Sequence, residues 1–151
     1  MKRIALASTT VAAVIAAAAF ATAGSAQSPA TTSLHLIATS QESVGFGPTH
    51  RDPHPGDRFG GGDSITGDDT GIDRTMCTII SKRDALCTAV AQLSRGTLTA
   101  EALVSFGPEP QDELRYAITG GTGAYDGARG TAVATDIPGT SKSDIKITLL
   151  H

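Results

Sequence analysis

The chain has 151 residues, with 12 Lys and Arg against 15 Asp and Glu and a formal net charge of −3. If the basic N-terminus is cut away as a leader, Lys2 and Arg3 go with it, leaving ten basic residues against fifteen acidic and a net charge of −5. That balance, with no basic stripe and no interleaved aromatics, excludes nucleic acid and anionic membrane surfaces as partners, because both need clustered cations to neutralise phosphate.

Residues 1–26 carry the three parts of a secretory signal: Lys2 and Arg3, an Ala/Val/Ile-rich run to about Ala23, and the small residues Gly24-Ser25-Ala26. Cleavage is expected after Ala26, or alternatively after Ala23, and the mature protein is expected to be secreted with no membrane attachment. A retained spanning helix is the weaker alternative, since the run is alanine-dominated and no basic residues follow it. Residues 27–32 are a polar tether, and 33–151 suit a single domain with one core.

From Ser33 the pattern is strand-like, with Leu34, Leu36 and Ala38 alternating against more polar neighbours. Residues 41–55, rich in Gly, Pro and His, predict a long loop. Alternation resumes over 57–66, where Asp57, Phe59, Gly61, Asp63 and Ile65 share the face marked as inner by its apolar members. The run Gly60-Gly61-Gly62 suits a bulge or a sharply coiled strand. Further strands are predicted over 72–80, 85–93, 97–106, 113–119, 128–135 and 144–150, with Leu98, Ala100, Ala102, Val104 and Phe106 on one face of the fifth and Leu114, Tyr116 and Ile118 on one face of the sixth. No stretch after residue 26 has helical periodicity. Eight short strands with turns between them imply a sandwich or a barrel, and pattern alone does not choose.

Cys77 and Cys87 lie ten residues apart, on neighbouring predicted strands of a chain bound for an oxidising compartment. A disulfide between them is the default expectation. A nucleophilic thiol or half a metal site is the alternative, without Cys-x-x-Cys spacing to support it.

The most distinctive stretch is Ile118-Thr119-Gly120-Gly121-Thr122-Gly123-Ala124-Tyr125-Asp126-Gly127-Ala128-Arg129-Gly130, which holds five of the seventeen glycines. Such density marks a backbone that visits positive φ or passes close to another backbone. A phosphate-binding loop would need different glycine spacing, a following helix and a Lys, and none is present. The stretch resembles the signature of the allene oxide cyclase-like barrels, the superfamily that includes dirigent proteins and small secreted bacterial homologues. Gly56-Asp57-Arg58-Phe59 with Asp63, and the run Gly96 to Leu103, agree with it, so that the resemblance spans roughly residues 56–130.

The resemblance implies an all-β fold, an eight-stranded antiparallel β-barrel whose interior holds side chains or one small ligand. It further implies a cofactor-free activity: allene oxide cyclases isomerise an unstable fatty-acid epoxide and dirigent proteins orient phenoxy radicals made elsewhere. Both work by confinement with a few polar groups to steer charge. The partner would be a hydrophobic, partly oxygenated small molecule, and the family's trimers point to a homo-oligomer. A non-catalytic binding or structural barrel is the competing account, since fold does not fix function. The composition of four Phe, two Tyr and no Trp gives an aromatic substrate a thin lining.

Within such a barrel, Asp63 is the candidate acid or base, because a carboxylate in an apolar cavity has its pKa raised by desolvation. Its alternative is satisfaction by the amides of the glycine run. Arg129 is the candidate partner or oxygen clamp for Asp63, or else an outward Arg at the barrel end, and Tyr116 is a hydrogen-bond donor or plain core. Dirigent-like pockets pair acidic residues with Arg and Tyr, which favours this trio. Asp57, Phe59 and Arg74, the last sharing a face with Met76 and Ile80, are candidate ligand-binding residues, Asp57 doubling as a strand-start residue. His50, His54, Asp52 and Asp57 bring imidazoles and carboxylates close in sequence, but Pro53 and Pro55 forbid the helix on which that spacing has meaning, so no metal site is expected.

Overall fold

A computed structural model describes residues 30–46, 54–107 and 111–150. The leader 1–26, residues 27–29 of the tether and residues 47–53, His50 and Asp52 among them, lie outside the described residues. The rest is a closed barrel of eight strands in sequence order, every neighbouring pair antiparallel: β1 Thr31–Phe46, β2 Arg58–Gly67, β3 Gly71–Ile79, β4 Asp84–Leu93, β5 Gly96–Ser105, β6 Glu113–Gly121, β7 Arg129–Asp136 and β8 Lys142–Leu150. The expected all-β barrel therefore forms, with strand bounds within a few residues of the sequence pattern at seven of the eight.

The exception is β1, which runs on to Phe46 where a loop was expected from Gln41. Ladder pairing with β8 stops at Thr39, opposite Lys142, so beyond it β1 has a strand partner only in β2. Residues 41–45 are exposed and carry no apolar alternation for the sequence to display. Ser40 faces Asp63 and Glu42 faces Gly62, which leaves Gln41 as an extra residue. The bulge thus sits in β1, opposite the glycine run, and the alternation of β2 is undisturbed.

One end of the barrel is filled. Leu34, Leu93, Leu98, Ala128 and Leu149 are buried there, around the ring of Tyr125. Tyr125 belongs to a short 3₁₀ turn, Gly123–Tyr125, in the glycine corner between β6 and β7. Gly123 enters that turn at φ 65°, and Gly130 leaves the corner at φ 146° with its α-carbon against the carbonyl of Thr148, where any Cβ would collide. The density of glycine is what lets this corner fold inward as a floor.

Beneath the floor, Asp69 is the one buried charged residue among those described. Its carboxylate accepts hydrogen bonds from the Tyr125 hydroxyl at 2.5 Å, the Ser94 hydroxyl at 2.5 Å, the Thr70 amide at 2.7 Å and the Arg95 Nε at 3.1 Å. The Arg95 guanidinium also lies 5.6 Å from the centre of the Tyr125 ring. Burial alone would raise the Asp69 pKa, but the bonds from Ser94, Tyr125, Thr70 and Arg95 outweigh it and hold the carboxyl well below the usual range. Burial and the bond to Asp69 in turn push the Tyr125 phenol up to about 12.

Cys77 and Cys87 face each other across β3 and β4 and form a disulfide. Replacing both by Ala is expected to lower the unfolding free energy by roughly 2 to 3 kcal/mol in the chain-entropy account of so short a loop. Urea unfolding with and without reductant checks this: the wild type should lose the increment on reduction and the variant should be indifferent.

Candidate small-molecule site

Above the floor the barrel is hollow, with a cavity of about 520 Å³ opening at the far end. Its walls follow from strand alternation. The inward residues of β4, Ala85, Cys87, Ala89 and Ala91, and those of β7, Ala132 and Ala134, are small. Eight strands enclose little room, and small side chains are what leave part of it empty. Ile65, Leu98, Ile118 and Ile147 supply the apolar base of the cavity. At its mouth Phe59 and Phe106 meet with ring centres 6.1 Å apart, tilted by 54°.

Two carboxylates stand side by side within this largely apolar surface. Asp63 on β2 and Asp73 on β3 are directly paired in register, and the Asp63 amide donates to the Asp73 Oδ1 at 3.2 Å. Burial raises the Asp63 pKa, with the Arg74 charge and hydrogen bonds to Asp73 and Ser40 opposing. Asp73 is pushed up to about 6 by burial and by the charge of Asp63, against the Asp63 amide and Arg74. Two like charges this close do not ionise independently, and the second proton is released only near neutrality. Tyr116 on β6 faces the same cavity, its pKa raised by burial and then by the charges of Asp73 and Asp63.

Of the residues singled out from sequence, Asp63, Tyr116 and Phe59 line this cavity together. Arg129 does not: it is exposed, on the face of β7 opposite to Ala132 and Ala134, and its guanidinium donates to the carbonyl of Ala128 at 2.7 Å. The expected Asp63–Arg129 couple is therefore corrected; the neighbour of Asp63 is another carboxylate. Arg74 also points outward, its Nε 3.4 Å from Glu42 Oε1 and its guanidinium lying across Gly62, so the inward orientation expected for it is corrected as well. Asp57 sits outside the cavity lining, before β2, where its carboxylate accepts from the His54 amide at 3.0 Å and its backbone bonds to Ile79. That is the strand-start role. No group of three or more His, Cys, Asp and Glu with metal-holding geometry occurs among the described residues.

Asp73 was missed because Ile72, Met76 and Ile80 made the other face of β3 look like the inner one, whereas the structure leaves them exposed, Ile72 by 42%. A usable signal was present. Counting outward from the turn at Gly67–Gly71 sets Asp73 opposite Asp63, and placing Cys77 opposite Cys87 puts Asp73 on the same side as the buried sulfurs.

No family profile and no curated protein matches the sequence. Solved structures do match the fold. Pyocyanin demethylase superposes with a TM-score of 0.62 at 22% identity, covering 78% of this chain and 99% of that one. AbnU, an exo-specific intermolecular Diels-Alderase, gives 0.64 at 17%, over 80% and 98%. The pterocarpan synthase dirigent protein GePTS1 gives 0.61 at 21%, over 96% and 99%. At such identities the likeness establishes architecture, and it extends over nearly the whole of each neighbour. The chain thus shares the barrel fold of these proteins, dirigent proteins among them, which is the architecture that the glycine corner's resemblance implies.

Proposed function

We propose that the barrel takes an apolar, partly oxygenated small molecule into its cavity and steers its cyclisation, isomerisation or coupling. The observation that carries this is the Asp63–Asp73 pair, set side by side within a largely apolar cavity. Such a pair retains a proton to higher pH than a free carboxyl, and offers it to an oxygen of the enclosed molecule. The conjugate carboxylate takes a proton back once the new bond has formed, so the pair ends as it began. Tyr116 adds a hydroxyl donor for the same oxygen or a neighbouring one. The small apolar walls hold the reacting conformer and keep water from it. Likeness of fold to a Diels-Alderase and to pterocarpan synthase dirigent proteins supports bond-forming chemistry of this kind. The disulfide supports an oxidising, extracytoplasmic location, in keeping with the signal-like leader.

Native mass spectrometry of the disulfide-intact protein, after incubation with a lipid and phenolic extract, tests the proposal. Wild type is expected to bind a small molecule and release it altered, and Asp63→Asn to bind it and return it unaltered. A ligand returned unchanged by both proteins would reduce the barrel to a binding module. No adduct with either would overturn a ligand-binding role.

A further inference from the structure

The charge of the cavity narrows its ligand further, on the footing that the cavity is a small-molecule site as proposed above. Among the described residues its lining includes no Lys, Arg or His. Asp63 and Asp73 stand deep within it, and Asp112 and Asp136 stand exposed at its rim. Glu42 also reaches the lining, but it is engaged by Arg74 on the outer side. The Phe59–Phe106 pair presents aromatic rings at the entrance, and ring faces attract cations.

An anionic ligand entering this space would be desolvated beside like charges, and no cationic side chain among the described lining residues would meet it. A neutral ligand gains only the apolar walls and hydrogen bonds. A ligand with one positive nitrogen gains both, and relieves the repulsion between the two carboxylates. We infer that the barrel selects apolar molecules bearing a single cationic nitrogen, a protonated amine or iminium, seated against Asp63 and Asp73, and that it rejects carboxylates such as fatty acids. This departs from the fatty-acid chemistry that the sequence resemblance suggests.

Three probes of one bicyclic skeleton separate the charge from the shape: 1-naphthylmethylamine, 1-naphthalenemethanol and 1-naphthoate. Titration calorimetry on the disulfide-intact protein at pH 7.5 is expected to show the amine binding at least tenfold more tightly than the alcohol, and the carboxylate at least tenfold more weakly. In Asp63→Asn/Asp73→Asn, with circular dichroism confirming the barrel, amine and alcohol should converge. On wild type, lowering the pH to 5 should weaken the amine at least fivefold and leave the alcohol unchanged. Tyr116, its pKa raised by burial, faces the pair from β6, Arg74 lies beside it on the outer side, and Asp112, Asp136 and Glu42 are common to every arm.

Equal affinity for amine and alcohol, or binding of the carboxylate as tight as theirs, would overturn the cation preference and leave the cavity a neutral small-molecule site. Amine binding undiminished in the double variant would place the cation elsewhere and also overturn it. Failure of all three probes to bind would count against the small-molecule site itself, and the inference would fall with it.

Discussion

Asp69→Ala should lower the unfolding free energy by roughly 2 to 4 kcal/mol, because it removes a buried charged acceptor shared by several donors, while the half-exposed Arg95 stays solvated. That is a large share of the roughly 5 to 15 kcal/mol that holds a domain together. Asp69 is the common acceptor of a side chain from the glycine corner, Tyr125, and of two from the β4–β5 turn, Ser94 and Arg95. Its loss unties the turns that close the barrel and leaves the buried Tyr125 hydroxyl without its acceptor. Tyr125→Phe, which deletes one bond and keeps the ring, should cost roughly 1.5 to 3 kcal/mol. Urea unfolding at pH 7 checks both. Because the Asp69 pKa is depressed on folding, its contribution is present above the unfolded value near 4 and is lost as the pH falls toward the folded value. The gap between wild type and Asp69→Ala should accordingly narrow in strong acid. A loss under about 1 kcal/mol at pH 7 would mean that the network follows the fold and does not hold it.

Asp73→Asn is expected to act on stability in the opposite direction while removing activity. Its native pKa of about 6 lies above the unfolded value, so the folded state binds this proton more tightly. The associated stability is present in full below pH 4 and is lost as the pH rises through 6, leaving an uncompensated carboxylate at neutrality. Asparagine avoids that repulsion with Asp63. The variant should gain on the order of 1 to 2 kcal/mol at pH 7.5, discounted for partial exposure, and almost nothing at pH 4. Turnover of a bound substrate should meanwhile fall about 100- to 10,000-fold, the usual worth of a positioned general acid. A structural role alone would couple lost turnover to lost stability. Unchanged turnover with raised stability would show the pair to be a mere strain in the wall.

How much of this site could be read from sequence turned on the size of the inward residues. Where a strand's larger apolar residues face the interior, as with Phe59 and Ile65 on β2 or Leu114 and Ile118 on β6, alternation placed Asp63 and Tyr116 correctly. On β3 and β7 several larger apolar residues, Ile72, Met76 and Val133, are on the outer face, and the interior beside the cavity has Thr75, Cys77 and Ala132. A hollow barrel inverts the usual rule there, because bulky inward side chains would fill the space that a ligand needs. Arg74 and Arg129 were assigned inward for that reason, and Asp73 was overlooked for the same one. The outer end of β1 was illegible for a different reason, having neither face covered.

A vessel sealed at its base has one doorway for arrival and departure. Tyr125 and the tied turns beneath it close the lower end, so a product must leave past Phe59 and Phe106 before the next reactant can enter. At about 520 Å³ the interior is of the size of a small-molecule site. The dead-end shape therefore puts occupancy by product directly in the way of fresh substrate.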